Sequence, residues 1–382
     1  MHPFRKQLSK NPVLKALSSV RITVVCLCLL FILTLWGTID QVYNGLYLAQ
    51  ARFFNSWAFT FWGFVPFPGA RLVLWVMFIN LVCVALIRLV YRWSNLGITI
   101  IHSGLLLFFL AAFVTFHYVE ESNITLMEGE GTNTAQAYHN WELSVWEEAG
   151  NNKTVAAFDT DRLRKGQVLE YAKFGLTAVI DTYYRNCEAY TQSDENQSKT
   201  FLNASGIKSL KPVSLDIEPQ KNIPGIVFEL KDADGGGAYA LLSGWEQQPL
   251  TVTKGGKTYL MQLRLKRFPV PFLVKLKDFK MERHPNTEVA RSYESLVEII
   301  SGGASREVLI SMNNPLRHNS YTMYQSSYSV DQLGREHSTL AVVKNQGRLL
   351  PYIATFVVFG GLVIHLLLMA FPIGARLPRK KP

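Results

Sequence analysis

The sequence predicts a multi-pass α-helical membrane protein with four transmembrane helices. A large all-β extracytoplasmic domain, sandwich-like or open-barrel-like, lies between the third helix and the fourth. Three observations carry this. Apolar residues segregate into four runs, at about Val20–Ile39, Leu72–Arg92, Gly97–Val119 and Leu350–Phe371. Basic residues crowd at particular ends of those runs. The segment between the third and fourth runs alternates apolar and polar residues as strands do.

Each run is about 20 residues, enough as a helix to cross a ~30 Å hydrocarbon core. The first is too long for a cleavable signal and no small-residue cleavage site follows it. Arg5, Lys6, Lys10, Lys15 and Arg21 precede the first run, with no acid among them. Arg88 and Arg92 separate the second from the third, and Arg376, Arg379, Lys380 and Lys381 follow the fourth. These residues exceed the whole net charge of +10. The pI of 9.3 is therefore a topology signal and not a nucleic-acid footprint. Positive charge stays on the cytoplasmic side. That rule gives a cytoplasmic tail at 1–19, three spans within 20–119 and an extracytoplasmic domain at 120–349. A fourth span at 350–371 and a basic cytoplasmic tail at 372–382 complete the order. Both termini then lie in the cytoplasm and the protein sits in the cytoplasmic membrane.

The outer loop at about 41–71 is crowded with Tyr43, Tyr47, Phe53, Phe54, Trp57, Phe59, Phe61, Trp62, Phe64 and Phe67. Two readings fit it: an interfacial helix with rings at headgroup depth, or an aromatic cradle for a flat apolar ligand. In the large domain, ELSVW (Glu142–Trp146) and GIVFEL (Gly225–Leu230) read as strands. Hairpins are predicted to turn at Asp234-Gly235 and at Gly255-Gly256. VLISMNNPL and YTMYQSSYSV continue the β pattern. TQSDENQSKT (Thr191–Thr200) predicts a loop, and PNTEVARSYESLVEIISGG one short helix. The expected architecture is many short strands.

No GxSxG, HExxH, Walker or GxGxxG motif occurs. The histidines His139, His284, His318 and His337 lack metal-ligand spacing and suit a β-domain surface. Cys26, Cys28 and Cys83 fall inside spans. Cys187 stands alone in the large domain, and no CxxC exists. The chain is therefore no thiol–disulfide oxidoreductase, and no catalytic residue is predicted.

The membrane histidines are the informative residues. His102 lies about five residues into the third span, roughly 7 Å from its cytoplasmic end. His365 lies about six residues before the cytoplasmic end of the fourth, roughly 9 Å from the same face. His117 sits at the outer end of its span, where water and headgroups satisfy it. An imidazole inside a membrane needs a partner that lipid cannot supply. One possibility is a hydrogen bond to a neighbouring helix. The other is axial ligation of haem iron by His102, with His365 as a second ligand, since a dry cleft suits the porphyrin faces.

The chain resembles the ResB/CcsB family of System II cytochrome c biogenesis proteins. The resemblance runs through SSVRITVVCLCLLFILTLWGTIDQ, ARFFNSW and GITIIHSGLLLFFLAAF. It continues in VKLKDFKMERHPNTEVARSYESLVEI and ISMNNPLRHNSYTMYQSSYSV. One departure is KNQGRLLPY (Lys344–Tyr352), where the family pattern has an Asp-Pro-Gly-like run. The resemblance implies a subunit of a holocytochrome c synthase complex with a CcsA/ResC-type membrane partner. Such a complex moves haem b outward and presents it for thioether attachment to the CxxCH motifs of apocytochrome c. It implies that His102 is an axial ligand of haem iron paired with a histidine of the partner, whereas depth matching permits a pair with His365. No tryptophan-rich haem-binding run is present, so the chain alone is not a complete synthetase. A separate thiol-reducing protein is implied, because this chain has no redox cysteine pair. Rival readings are an assembly scaffold that never touches haem and a haem b electron-transfer subunit.

Overall fold

The computed structural model describes residues 8, 10–61, 63–147, 154–192, 200–202, 205–245, 248–287, 290–331 and 333–371. The chain forms two compact units: Met1–Glu120 with Asn345–Pro382, and Glu121–Lys344. Four helices of the first unit are long and apolar enough to cross a membrane, which marks the chain as a membrane protein. The basic residues Arg5, Lys6, Arg376, Arg379, Lys380 and Lys381 lie outside the described residues, as does most of Thr191–Thr200.

The first unit opens with a short helix α1 (Pro12–Leu17), capped by the Asn11 side chain, which accepts from the Val13 and Leu14 amides. Helix α2 (Val20–Ala49) follows and passes into a π-helical turn, Gln50–Phe54. The first span is thus longer than its apolar run suggests. Polar residues after Ile39 end the hydropathy but not the helix, which kinks at Gly45, where φ is 74°. The aromatic loop is neither an interfacial helix throughout nor an open cradle. Strands β1 (Ala58–Phe61) and β2 (Val65–Pro68) form a hairpin. Its rings pack onto α2, with Trp36 and Phe61 centroids 4.4 Å apart and Phe53 and Phe59 4.8 Å apart. Phe53 is buried, whereas Tyr43, Trp57 and Phe64 stay exposed.

Helix α3 (Ala70–Cys83) ends in a π-helical turn, Val84–Arg88. Within it, Asn80 is buried and ties α3 to the start of α2. Its Oδ1 accepts from Thr23 Oγ1 at 2.7 Å, and its Nδ2 donates to the carbonyls of Leu17 and Ser19. Arg88 Nε donates to Ser18 Oγ nearby at 3.1 Å. Side-chain hydrogen bonds between membrane helices contribute about 0.6 kcal/mol on average and up to about 2 kcal/mol. Asn80→Ala removes the side-chain partner of the Thr23 hydroxyl and of the Leu17 carbonyl, so we expect it to destabilise the purified protein by about 1–2 kcal/mol. An unchanged thermal melt in micelles would count against this tie. Helices α4 (Leu96–Tyr118) and α5 (Leu350–Ala370) complete the unit.

The second unit is all β among the described residues, apart from short 3₁₀ turns. Its strands are β3 (Glu120–Met127), β4 (Gly131–Glu147), β5 (Val155–Asp159), β6 (Val168–Tyr171), β7 (Leu176–Tyr184), β8 (Cys187–Tyr190) and β9 (Ser209–Pro212). There follow β10 (Gly225–Leu230), β11 (Gly237–Leu242), β12 (Leu250–Lys254), β13 (Lys257–Arg283), β14 (Ala290–Ser301) and β15 (Ala304–Ser311). Last come β16 (Leu316–His318), β17 (Tyr321–Val330) and β18 (Glu336–Lys344). Both predicted hairpins form, with Gly235, Gly255 and Gly256 at positive φ.

Sandwich and open barrel coexist in this unit. A four-stranded sheet, β11-β10-β7-β6, packs over one half of β4 and β13 around Leu143, Val145, Phe228 and Met261. The rest of the large sheet, β15-β14-β13-β4-β3-β18-β17-β16, encloses a second core around Val274, Val297 and Val342. That sheet is curled. Ser295 Oγ of β14 lies 2.7 Å from both Gln325 Oε1 of β17 and Ser338 Oγ of β18, strands far apart in sheet order. In the ELSVW run, Leu143 and Val145 fill the first core. On the opposite face Glu142 accepts from Arg264 Nε at 2.9 Å, beside the Trp146 ring.

Two expectations fail here. The strands are not all short: β13 spans 27 residues. Pro269 and Pro271 bend it at a break in register with β4 rather than ending it. The predicted helix after Pro285 is strand β14. Its 3–4 spacing of Tyr293, Leu296, Val297 and Ile300 mimics a helix, but pairing on both sides, to β13 and β15, satisfies its backbone instead.

Candidate functional site

The site is built where α4 meets its neighbours. Helices α4 and α5 run antiparallel in direct backbone contact, allowed by small residues at heptad spacing: Gly97, Gly104 and Ala111 on one, Ala354 and Gly361 on the other. A β-carbon on Gly97 would lie 2.4–2.5 Å from the backbone N, Cα and Cβ of His365. One on Gly361 would lie 2.9 Å from the Ile101 amide nitrogen, and one on Gly104 would lie 2.6 Å from Val358. Stripes of small residues let membrane helices approach this closely.

His102 is not on that stripe. It lies five residues beyond Gly97, about 140° round the helix and about 7.5 Å along it. It shares a heptad face with Phe109 and Phe116. That face meets α3: the ring centroids of Phe78 and Phe109 are 5.5 Å apart, and those of Trp75 and Phe113, one turn on, 6.4 Å. Continuing this antiparallel register carries His102 to the level of the π-turn Val84–Arg88. Such turns widen a helix and recur at functional sites.

The His102 ring is chemically poised. Nδ1 lies 2.8 Å from the carbonyl of Ile98. A carbonyl only accepts, so Nδ1 carries the proton and the lone pair resides on Nε2. Nε2 has no hydrogen-bond partner among the described residues, and the side chain is half-buried. A backbone acceptor behind one nitrogen fixes the tautomer and the orientation of the ring, the arrangement used by metal-ligating histidines.

His365 is placed differently. It is half-buried with its backbone against Gly97, and its Nδ1 is buried without a hydrogen-bond partner. The Gly97 contact places His365 five residues, about 7.5 Å along the axis, from the level of His102, and His102 lies off the α4 face that meets α5. His117 repeats the His102 pattern, with Nδ1 3.0 Å from the Phe113 carbonyl, but is exposed.

The second unit offers no comparable centre. Among the described residues no three His, Cys, Asp or Glu side chains gather as metal ligands. His337 Nε2 stands 3.7 Å from Asp331 Oδ2, an ordinary turn contact. Cys187 is buried on β8, and burial pushes its thiol up to about 12. At pH 7 only about one molecule in 10⁵ carries the thiolate. We therefore expect Cys187 to resist a water-soluble maleimide in the folded protein and to react once urea opens the domain. Rapid labelling of the native protein, mapped to this residue, would contradict its burial.

His102 is legible in the sequence as a position, but its face, its tautomer and the π-turn at its level are not. Those emerge only from the register of α4 against α3 and α5.

Residues 235–351 match the ResB-like family. That segment runs from β11 to the start of α5 and includes both β-domain blocks quoted for the resemblance. A stretch of 101 residues is 32% identical to Protein NrfI of Wolinella succinogenes. It makes up 26% of this chain and 11% of NrfI, so the chain covers only a small part of that relative.

Proposed function

We propose that this chain, ResB-like over residues 235–351, serves cytochrome c biogenesis as the haem-handling membrane subunit of a System II synthase. The family match and the NrfI stretch support the biogenesis role. The observation that carries the haem assignment is the His102 ring: Nδ1–H held by Ile98, Nε2 free, in an apolar span.

In this reading haem is cargo. Both termini are cytoplasmic and the β domain is extracytoplasmic, as the basic flanks suggest. Nε2 of His102 supplies one axial bond to iron. The close α4–α5 seam speaks for a second ligand from outside this chain, a histidine of a CcsA/ResC-type partner, with His365 a packing residue. The chain's own part is to hold the first imidazole at a fixed angle and to exclude water around it. The β domain receives apocytochrome c. A separate protein keeps the client thiols reduced, because Cys187 is buried and unpaired.

The test is co-expression with a CcsA/ResC-type subunit and a CxxCH client. The proposal expects a purified complex with a haem absorption band and client carrying covalent haem. A haem-free complex that still matures the client would identify an assembly scaffold. Bound haem with redox activity but no covalent product would identify an electron carrier.

A further inference from the structure

We propose that Arg71, clamped between two aromatic rings at the start of α3, binds the phosphate group of a membrane phospholipid. Its guanidinium carbon lies 4.8 Å from the Trp57 ring centroid and 5.1 Å from that of Phe116. The rings come from two different elements, the segment before β1 and the end of α4, so the cation is anchored by both. Ring contacts of this kind do not use up its N–H donors. Among the described residues no carboxylate, carbonyl or hydroxyl accepts from them.

Arg52, in the same aromatic cluster, shows the contrast. It too lies over two rings, Phe53 and Phe59, at 5.4 Å and 5.6 Å. Its edges, however, are filled: Nη2 donates to the Thr60 carbonyl at 3.0 Å and Nη1 stands 3.7 Å from Asp40. Two stacked guanidiniums thus differ in one respect: one has its counter-charge within the chain and the other does not.

Arg71 lies at the end of a membrane-crossing helix, beside Trp57 and Phe116, both about half exposed. An indole ring at this position favours headgroup depth. The nearest plentiful anion there is phosphodiester, and a planar fork suits two of its oxygens. The guanidinium carries the site. The start of α3, which has no side-chain cap, adds its own positive end beside it.

The full chain, purified in micelles, would be titrated with phosphatidylglycerol and its retained lipid counted by native mass spectrometry. Wild type should retain one lipid that Arg71→Gln loses, with binding weakened about tenfold. Trp57→Ala should weaken it as well, Arg71→Lys should be intermediate, and Arg52→Gln should keep it. Diacylglycerol, with the same tails and no phosphate, should show no dependence on residue 71. Retention at the wild-type level in both Arg71→Gln and Trp57→Ala overturns the proposal. So does inorganic phosphate binding at Arg71 as tightly as the lipid, or a dicarboxylate porphyrin binding there while phospholipid does not. Circular dichroism melts of each variant separate lost binding from lost fold.

Discussion

His102→Gly, expressed with the CcsA/ResC-type subunit proposed above, should lose bound haem and covalent cytochrome c together, and added imidazole should restore both. Removing a group that merely orients a metal ligand costs ten- to a hundredfold in affinity, and removing the ligand itself costs no less. Haem retention should therefore fall by about tenfold or more. Free imidazole fits the space that glycine leaves and presents the same kind of nitrogen. The comparison variant is His365→Leu. Its Nδ1 is buried without a partner, so a leucine there removes a polar atom that nothing satisfies. Haem should be unchanged and the melt equal or higher. Undiminished haem in His102→Gly, or lost haem only in His365→Leu, would exchange the roles assigned to the two rings.

The second large effect is steric. A β-carbon at position 97 would overlap the His365 backbone, and neither helix can yield without parting from the other. Gly97→Ala should destabilise the membrane unit by about 1–3 kcal/mol, the usual cost of overpacking. Gly97→Leu should block stable assembly of α4 on α5. Gly360 supplies the control, one position from Gly361 on α5, because a β-carbon there meets nothing within 4 Å. Gly360→Ala should be neutral or stabilising, by up to about 1 kcal/mol from helix propensity. Thermal unfolding of the purified variants measures both. Equal tolerance at 97 and 360 would mean that α4 and α5 are not in contact.

These two effects also mark where sequence reasoning reached its limit. Length and hydropathy suffice to find four spans, because each must fill the same thickness with apolar side chains. They do not tell which face a residue occupies. Depth counted from span ends put His102 and His365 level; the contact of Gly97 with His365 sets them about 7.5 Å apart along the axis and on separate faces. In the aromatic loop every side chain is large and apolar. Period 2 therefore left no trace, and the β1–β2 hairpin was hidden. The strand β14 was obscured for the opposite reason: its apolar positions satisfy helical spacing and alternation at once, and only its two strand partners decide. The hairpins at Gly235 and at Gly255-Gly256 were legible because positive φ leaves a residue-level mark.

In the proposed complex, haem iron is bound by the side chain at position 102. His102→Met tests it without emptying the position, since a thioether also ligates iron and raises its potential. The near-infrared charge-transfer band of ferric haem distinguishes two nitrogens from nitrogen plus sulfur. Ligation at this position gives a nitrogen–nitrogen band in wild type and, in His102→Met, a nitrogen–sulfur band with a higher midpoint potential. Identical spectra and potentials in the two proteins would show that the iron does not see this residue.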